Sequence, residues 1–193
     1  MDGKTGFAAA KPWEKGTIME TNRYCYCVFC RSEKCERLRK EFEVILPCRA
    51  IYPKQMQHVR VQGNLLDVER PFLPGYLFLY AEEPLPVKTL YRFDGVLRCL
   101  QSDDRNYELC GKDREFALLL LQNDGVFGKL QVFEEGNRIR IKEGAFAGIE
   151  AEVLKVDRRK GRLKVSVPLA GTIVTVWAGY ETVEAASQSS GKE

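Results

Sequence analysis

Apolar positions in the first two thirds of the chain fall into short blocks that alternate with helical periods. Residues 24–30 (YCYCVFC) form an unbroken apolar run of aromatic and small side chains, the pattern of a buried strand. Ser32 offers an N-cap, and Cys35, Leu38 and Phe42 follow at helical spacing with Glu36, Arg37, Arg39 and Lys40 mostly on the other face. That pattern predicts a helix ending near Glu43. Residues 59–62 and 66–69 alternate across Gly63-Asn64, a strong hairpin signal. Residues 76–80 (YLFLY), introduced by Pro74-Gly75, predict a second buried strand. Residues 87–92 predict a short helix, and 113–122 a third with Phe116, Leu119 and Leu120 on one side. Strands interleaved with helices and one hairpin indicate an α+β domain with helices laid on a sheet.

After Asn123 the texture changes. Gly125 and Gly128 mark a loose connector, and no helical period follows Phe133. Short strands are predicted instead over 138–142, 150–156, 163–167 and 172–177, separated by Gly144, Gly148, Gly161 and Gly171. Short, evenly spaced strands of this kind fit a small closed barrel. The expected organisation is therefore a leader over 1–21 without any period, an α+β domain over 22–123 and a linker over 124–133. A β-barrel over 134–184 and a small, polar tail over 185–193 complete it.

Composition narrows the function without fixing it. A chain of 193 residues holds one medium domain or two small ones, and an apolar fraction of 45% is enough for a real core. The formal net charge of +3 is too small for indiscriminate binding of polyanions, so any nucleic-acid footprint must be local. No apolar run reaches the length of a membrane span, and the first thirty residues lack a signal-peptide core. The expectation is a cytoplasmic protein with no membrane partner. Seven cysteines, an odd count without an export signal, point to reduced thiols.

Catalytic and metal chemistry find little support. Cys27 and Cys30 have a spacing that zinc tolerates, yet strand alternation sends them to opposite faces and no second pair follows. Buried cysteine acting as a small apolar side chain explains Cys25, Cys27, Cys30 and Cys35 better. His58, the one histidine, is the sole base available to a cysteine nucleophile, and nothing marks a third group to orient it. The glycines at 144–148 lack the lysine and helix of a phosphate-binding loop. No catalytic residue, metal site or cofactor is expected.

Two segments resemble the NusG family of transcription factors. Residues 70–78 (RPFLPGYLF) look like that family's FFPGY signature leading into a strand, after a charged hairpin and ahead of Asp94-Gly95-Val96. Residues 135–164 (EGNRIRIKEGAFAGIEAEVLKVDRRKGRLK) are similar to a KOW motif, and together the resemblance spans roughly residues 24–184. It implies an NGN-type antiparallel sheet with flanking helices, followed by a small SH3-like KOW β-barrel. It further implies a monomeric, non-enzymatic elongation or antitermination factor that docks on the clamp region of RNA polymerase and suppresses pausing or termination. The docking residues would be Pro71, Phe72, Leu73, Pro74, Gly75 and Tyr76. Two prolines fix φ there and limit the residues before them, holding Phe72 and Tyr76 as rigid anchors at a sheet edge; core packing beside a tight turn is the competing reading.

The chain departs from the family at several points. Tyr24-Cys25 stands where a Trp-Tyr pair commonly opens the first strand, and Ala151 replaces the third glycine of the KOW loop. Pro168-Leu169-Ala170-Gly171 lacks the aromatic that helps the family contact a ribosomal protein or the Rho factor, which argues against those partners. The cysteine-rich opening resembles specialised, operon-dedicated paralogues such as the LoaP antiterminators. Arg158, Arg159, Lys160, Arg162 and Lys164 cluster around the turn at Gly161 and are candidates for phosphate contacts with a nascent RNA hairpin. The alternative is a solvated hairpin offset by Glu150, Glu152 and Asp157. Lys54, Arg60 and Arg70 are further candidates beside the first hairpin. A ribosome-associated or general RNA-binding KOW protein is the competing function.

Overall fold

In the computed structural model, which describes residues 22–62, 64–102, 106–135, 138–143 and 151–183, the YCYCVFC run is a central strand. The strands are β1 (Tyr24–Cys30), β2 (Cys48–Ile51), β3 (Lys54–Val61), β4 (Asn64–Pro71), β5 (Tyr76–Ala81), β6 (Val96–Cys99) and β7 (Val126–Phe127). The second half adds β8 (Leu130–Glu135), β9 (Arg138–Glu143), β10 (Glu152–Asp157), β11 (Arg162–Leu169) and β12 (Thr172–Thr182). Among the described residues the helices are α1 (Cys35–Ile45), α2 (Val87–Leu90) and α3 (Gly111–Gln122). The protein is thus α+β, as the alternation of periods predicts.

β1 lies between β5 and β6 in a four-stranded antiparallel sheet ordered β2-β5-β1-β6. Strand alternation divides its side chains between two cores. Val28, Cys30, Leu77 and Leu79 pack with Leu38 and Phe42 of α1 on one face. Cys25, Cys27, Phe78 and Tyr80 pack with Phe116, Ala117 and Leu120 of α3 on the other. Cys27 and Cys30 therefore do face opposite ways, and all four early cysteines are buried. The Tyr80 hydroxyl donates to Ala117 O at 2.6 Å, tying α3 to the sheet with a satisfied polar group. Ser32 opens a short 3₁₀ turn ahead of α1 rather than capping it, and no side chain caps that helix.

β3 and β4 form the expected hairpin, with β7 parallel to β3 on its other side. Its turn sits one residue earlier than Gly63-Asn64 suggests. Val61 already pairs with Asn64, and Gln62 takes the left-handed φ of 49°. The segment expected as a loose connector carries β7 and the start of β8, because Val126, Phe127, Leu130 and Val132 supply a strand-like apolar pattern. The second half is a five-stranded sheet ordered β10-β11-β12-β8-β9. The expected closure is not seen: among the described residues β9 and β10 do not pair, so the sheet is open. The eleven-residue β12 serves two partners in succession, β11 over residues 172–179 and β8 over residues 180–182, which curls the sheet without sealing it. The predicted loop glycines Gly144 and Gly148 lie outside the described residues.

One apolar core runs from the α3 face of the first sheet into Leu163, Val165, Val167 and Leu169 of β11. Gln55 of β3 pins the two halves together. It is 0% exposed, donates through Nε2 to Gly128 O (3.1 Å) and Gly179 O (3.2 Å), and accepts from Gly179 N (2.8 Å). Buried amides persist only when their donors and acceptors are paired, and this one is.

Candidate interaction surfaces

The segment that follows β4 reverses direction through Leu73-Pro74-Gly75-Tyr76, with Tyr76 N donating to Leu73 O at 3.1 Å. Pro74 sets the first corner and Gly75, at φ +91°, the second, the sequence chemistry of a type II turn. Gly75 has a second constraint: a Cβ there would lie 2.9 Å from both Cys30 O and the Phe29 ring. Its carbonyl also accepts from Cys30 N at 2.7 Å. The absent side chain therefore lets Phe29 of β1 lie beside Tyr76 of β5, ring centroids 4.9 Å apart and planes tilted by 42°. Both rings are half-buried on the α3 face of the sheet, beyond the part that α3 covers.

The six candidate docking residues do not share one environment. Pro71 and Pro74 are exposed, Tyr76 is half-buried and Gly75 is buried in the turn. Phe72, expected as an anchor at a sheet edge, and its neighbour Leu73 are each only 1% exposed. The reason is local. β4 ends at Pro71 opposite Lys54, Phe72 N is held by Pro53 O at 2.8 Å, and the chain then turns inward. The Phe72 ring meets Phe127 edge-on at 5.8 Å, Phe127 stacks on Phe116 at 6.4 Å, and Phe116 meets Phe78 at 5.7 Å. This aromatic series belongs to the core. Phe29 and Arg98, which no motif in the sequence singles out, join Tyr76 instead. Phe29 pairs with Tyr76 on one side and with exposed Arg98 of β6 on the other.

The second candidate surface surrounds Gly161. Arg158, Arg159 and Lys160 form a 3₁₀ turn and are exposed. Asp157 caps it by accepting from Lys160 N (3.1 Å), and Gly161 takes φ +58° to re-enter β11. On β11, Leu163, Val165 and Val167 point into the core, so Arg162 and Lys164 point outward. Arg162 bonds to Asp157 at 3.3 Å and lies 4.3 Å over the Trp177 ring. Lys164 stands opposite both Trp177 and Lys155, an exposed lysine of β10. The outward face thus combines Arg162, Lys164 and Lys155 with an indole. Trp177 and Lys155 escape a reading confined to one turn because only strand register brings them there.

The remaining basic candidates are not gathered at this face. Lys54 is held by Glu36 (2.9 Å) and Glu69 (3.5 Å), Arg70 is exposed at the end of β4, and the side chains of Arg60 and His58 lie outside the described residues. Glu36 feels opposing effects: burial raises its pKa, but Lys54 and Arg39 outweigh it and hold the carboxyl below the usual range. Leu169 and Ala170 are buried beside Phe116, and Ala170 is 6% exposed at φ 43°. Burial pushes the Cys25, Cys48 and Cys99 thiols up to about 11, which leaves them protonated and unreactive at neutral pH.

Over 157 residues the chain is 27% identical to the transcription termination/antitermination protein NusG of Pasteurella multocida, spanning 78% of this chain and 81% of that protein. It is 32% identical over 130 residues to the protein of the same name from Escherichia coli K12, spanning 64% of this chain and 70% of the relative. The chain belongs to the NusG family. No family model matches it. A solved structure described as "Domain interaction in Thermotoga maritima NusG" aligns with this NusG-family chain at 20% identity and a TM-score of 0.45, covering 84% of this chain and 95% of the other. Among the described residues, no helix is long and apolar enough to cross a membrane.

Proposed function

We propose that this NusG-family chain is a non-enzymatic transcription termination/antitermination factor that binds RNA polymerase through residues 22–123 and suppresses pausing or termination. The observation that carries the reading is the surface built on the Arg70–Phe78 segment. There a proline-glycine turn presents Pro71, Pro74 and the half-buried Tyr76 beside Phe29, with Phe72 and Leu73 fixing the turn from below. Aromatic side chains with little freedom left to lose are the usual anchors of protein interfaces. The clamp region of the polymerase is the partner that the family resemblance suggests.

Residues 134–184 are proposed as the nucleic-acid arm, contacting a nascent RNA hairpin through Arg158, Arg159, Lys160, Arg162 and Lys164, now joined by Lys155. A KOW half held by the Gln55 contacts would stay close to the polymerase-binding half. No ribosomal or Rho contact is assigned to the β11–β12 tip, since Leu169 and Ala170 are committed to internal packing. An operon-dedicated role like that of LoaP antiterminators is consistent with that tip.

The test is retention of the purified chain by core RNA polymerase, compared with a folded Tyr76→Ala variant. Retention of wild type and its loss in the variant support the reading. Binding of structured RNA without any binding of polymerase would favour the general RNA-binding alternative, for which the basic face around Trp177 is the motivating feature.

A further inference from the structure

Two of the early cysteines have surroundings that set them apart from the rest. Cys30 ends β1 and Cys35 opens α1, with Arg31 and the short 3₁₀ turn Ser32–Lys34 between them. Their side chains are 1% and 0% exposed and share the core beneath α1. Each thiol makes a long bond to the backbone, Cys30 Sγ to Val28 O at 3.9 Å and Cys35 Sγ to Arg31 O at 3.6 Å. A thiol is a weak donor, so these contacts do little to hold either sulfur away from the other.

Three donors surround the Cys35 sulfur: the Cys30 thiol, the Gly75 N–H and the Tyr52 hydroxyl. The bond from Cys30 leads, and with the other two it outweighs burial and holds the Cys35 thiol below its ordinary value. Its place at the start of a helix favours the thiolate further. Cys30 moves the opposite way, raised by the same bond and by burial, so it keeps its proton. Burial pushes the Tyr52 phenol up to about 12, which keeps it a donor. At Cys25, Cys27, Cys48 and Cys99 burial dominates and raises all four thiols. A sulfur inclined to ionise beside a protonated thiol is the arrangement of an attacking and a resolving cysteine.

The pair lies beneath a thin cover. Arg31, Ser32 and Glu33 are exposed and no residue of the 3₁₀ turn is buried, so local opening there admits a small oxidant. On its other side the pair grips the turn between β4 and β5. Cys30 N donates to Gly75 O at 2.7 Å, while the Gly75 N–H faces the Cys35 sulfur. Gly75 in turn sets the reversal that Tyr76 N closes on Leu73 O. A change at either sulfur is therefore felt one residue from Tyr76.

We propose that Cys30 and Cys35 form a reversible dithiol, with Cys35 attacking and Cys30 resolving, whose oxidation by a hydroperoxide loosens the Leu73–Tyr76 turn. The Cys35 thiolate attacks the peroxide and the O–O bond breaks. Cys35 becomes a sulfenic acid, and hydroxide leaves to take up a proton as the first water. The Cys30 sulfur then attacks Cys35 and the S–O bond breaks. A disulfide forms, and the second water leaves with the Cys30 proton. Two electrons have passed from the two thiols to the peroxide, and a dithiol reductant reverses the step by exchange. An S–S bond of about 2.05 Å draws the Cys35 sulfur toward β1 and away from the Gly75 N–H.

The experiment treats the reduced full chain with hydrogen peroxide at neutral pH, alkylates the remaining thiols in denaturant and maps the products by tryptic mass spectrometry. Trypsin cuts after Arg23, Arg31, Lys34 and Arg37, so the bridge appears as residues 24–31 joined to residues 35–37. That species should dominate in wild type, and dithiothreitol should remove it. Cys30→Ser should lose the bridge and accumulate a Cys35 sulfenic acid that dimedone traps. Cys35→Ser should lose both products, and Cys110→Ser should keep the bridge. Amide hydrogen exchange over residues 72–78 should be faster in oxidised than in reduced wild type. If Cys30 and Cys35 stay reduced while exposed Cys110 is oxidised, the pair is core packing alone and the proposal is wrong. Dimedone capture at Cys30 in Cys35→Ser would overturn the assigned roles, and a bridge with unchanged exchange would overturn the link to the turn. The wild-type bridge and its exchange are read without any variant, so an unfolded variant leaves the test intact.

Discussion

Replacing Phe72 by alanine should damage the fold before it reports on any partner. The ring is 1% exposed and meets Phe127 at 5.8 Å, and Phe127 in turn stacks on Phe116 from α3. Removing a buried phenylalanine ring commonly costs about 3–5 kcal/mol, from lost transfer energy and the cavity left behind. Against a total stability of about 5–15 kcal/mol that is a large fraction. At roughly 2–4 °C per kcal/mol for a chain of this size, the melting temperature should fall by about 6–20 °C. Phe72→Leu keeps most of the volume and should cost less than half as much. The assay is thermal or denaturant unfolding followed by far-UV circular dichroism. A Phe72→Ala protein melting within about 2 °C of wild type would refute the burial argument and return Phe72 to the exposed surface. Tyr76, half-buried at the rim, is the position at which binding can be tested with the fold retained.

Three further outcomes are expected. Gln55→Ala should lower stability by roughly 2–4 kcal/mol in denaturant titration, because Gly179 N and the Gly128 and Gly179 carbonyls lose their buried partner. Arg158→Ala, Arg159→Ala and Arg162→Ala combined should flatten the log–log salt dependence of RNA-hairpin binding by roughly 0.7–0.9 for each phosphate no longer neutralised; equal slopes would show the turn to be a solvated loop. Of the seven thiols, exposed Cys110 should react first with a maleimide at pH 8, ahead of Cys25, Cys48 and Cys99, whose thiols burial holds at about 11. Mass spectrometry after brief labelling counts the adducts.

The parts of the fold legible in the sequence are those where local pattern and tertiary environment agree. β1, β5 and α3 announce themselves through apolar runs or helical period because each is buried on defined faces. β2 and β6 are four-residue strands with exposed Arg49, Leu97 and Arg98, too short and mixed for any period to show. The hairpin turn slips by one residue because pairing of Val61 with Asn64 outweighs the usual preference of a Gly-Asn turn. At the candidate site, Pro74-Gly75 reveals the turn, but not that Phe72 and Leu73 face inward. That depends on Phe127, more than fifty residues away, arriving on β7. Arg98 and Trp177 are equally invisible, since each belongs to its surface only through cross-strand register.

Action on transcription through the Tyr76 surface is measured by run-through of an intrinsic terminator with purified core polymerase and the purified chain. Wild type should raise the run-through fraction, and folded Tyr76→Ala should leave it at the level of polymerase alone. No change with wild type would exclude this activity, and full activity in the variant would exclude the Tyr76 surface as its source.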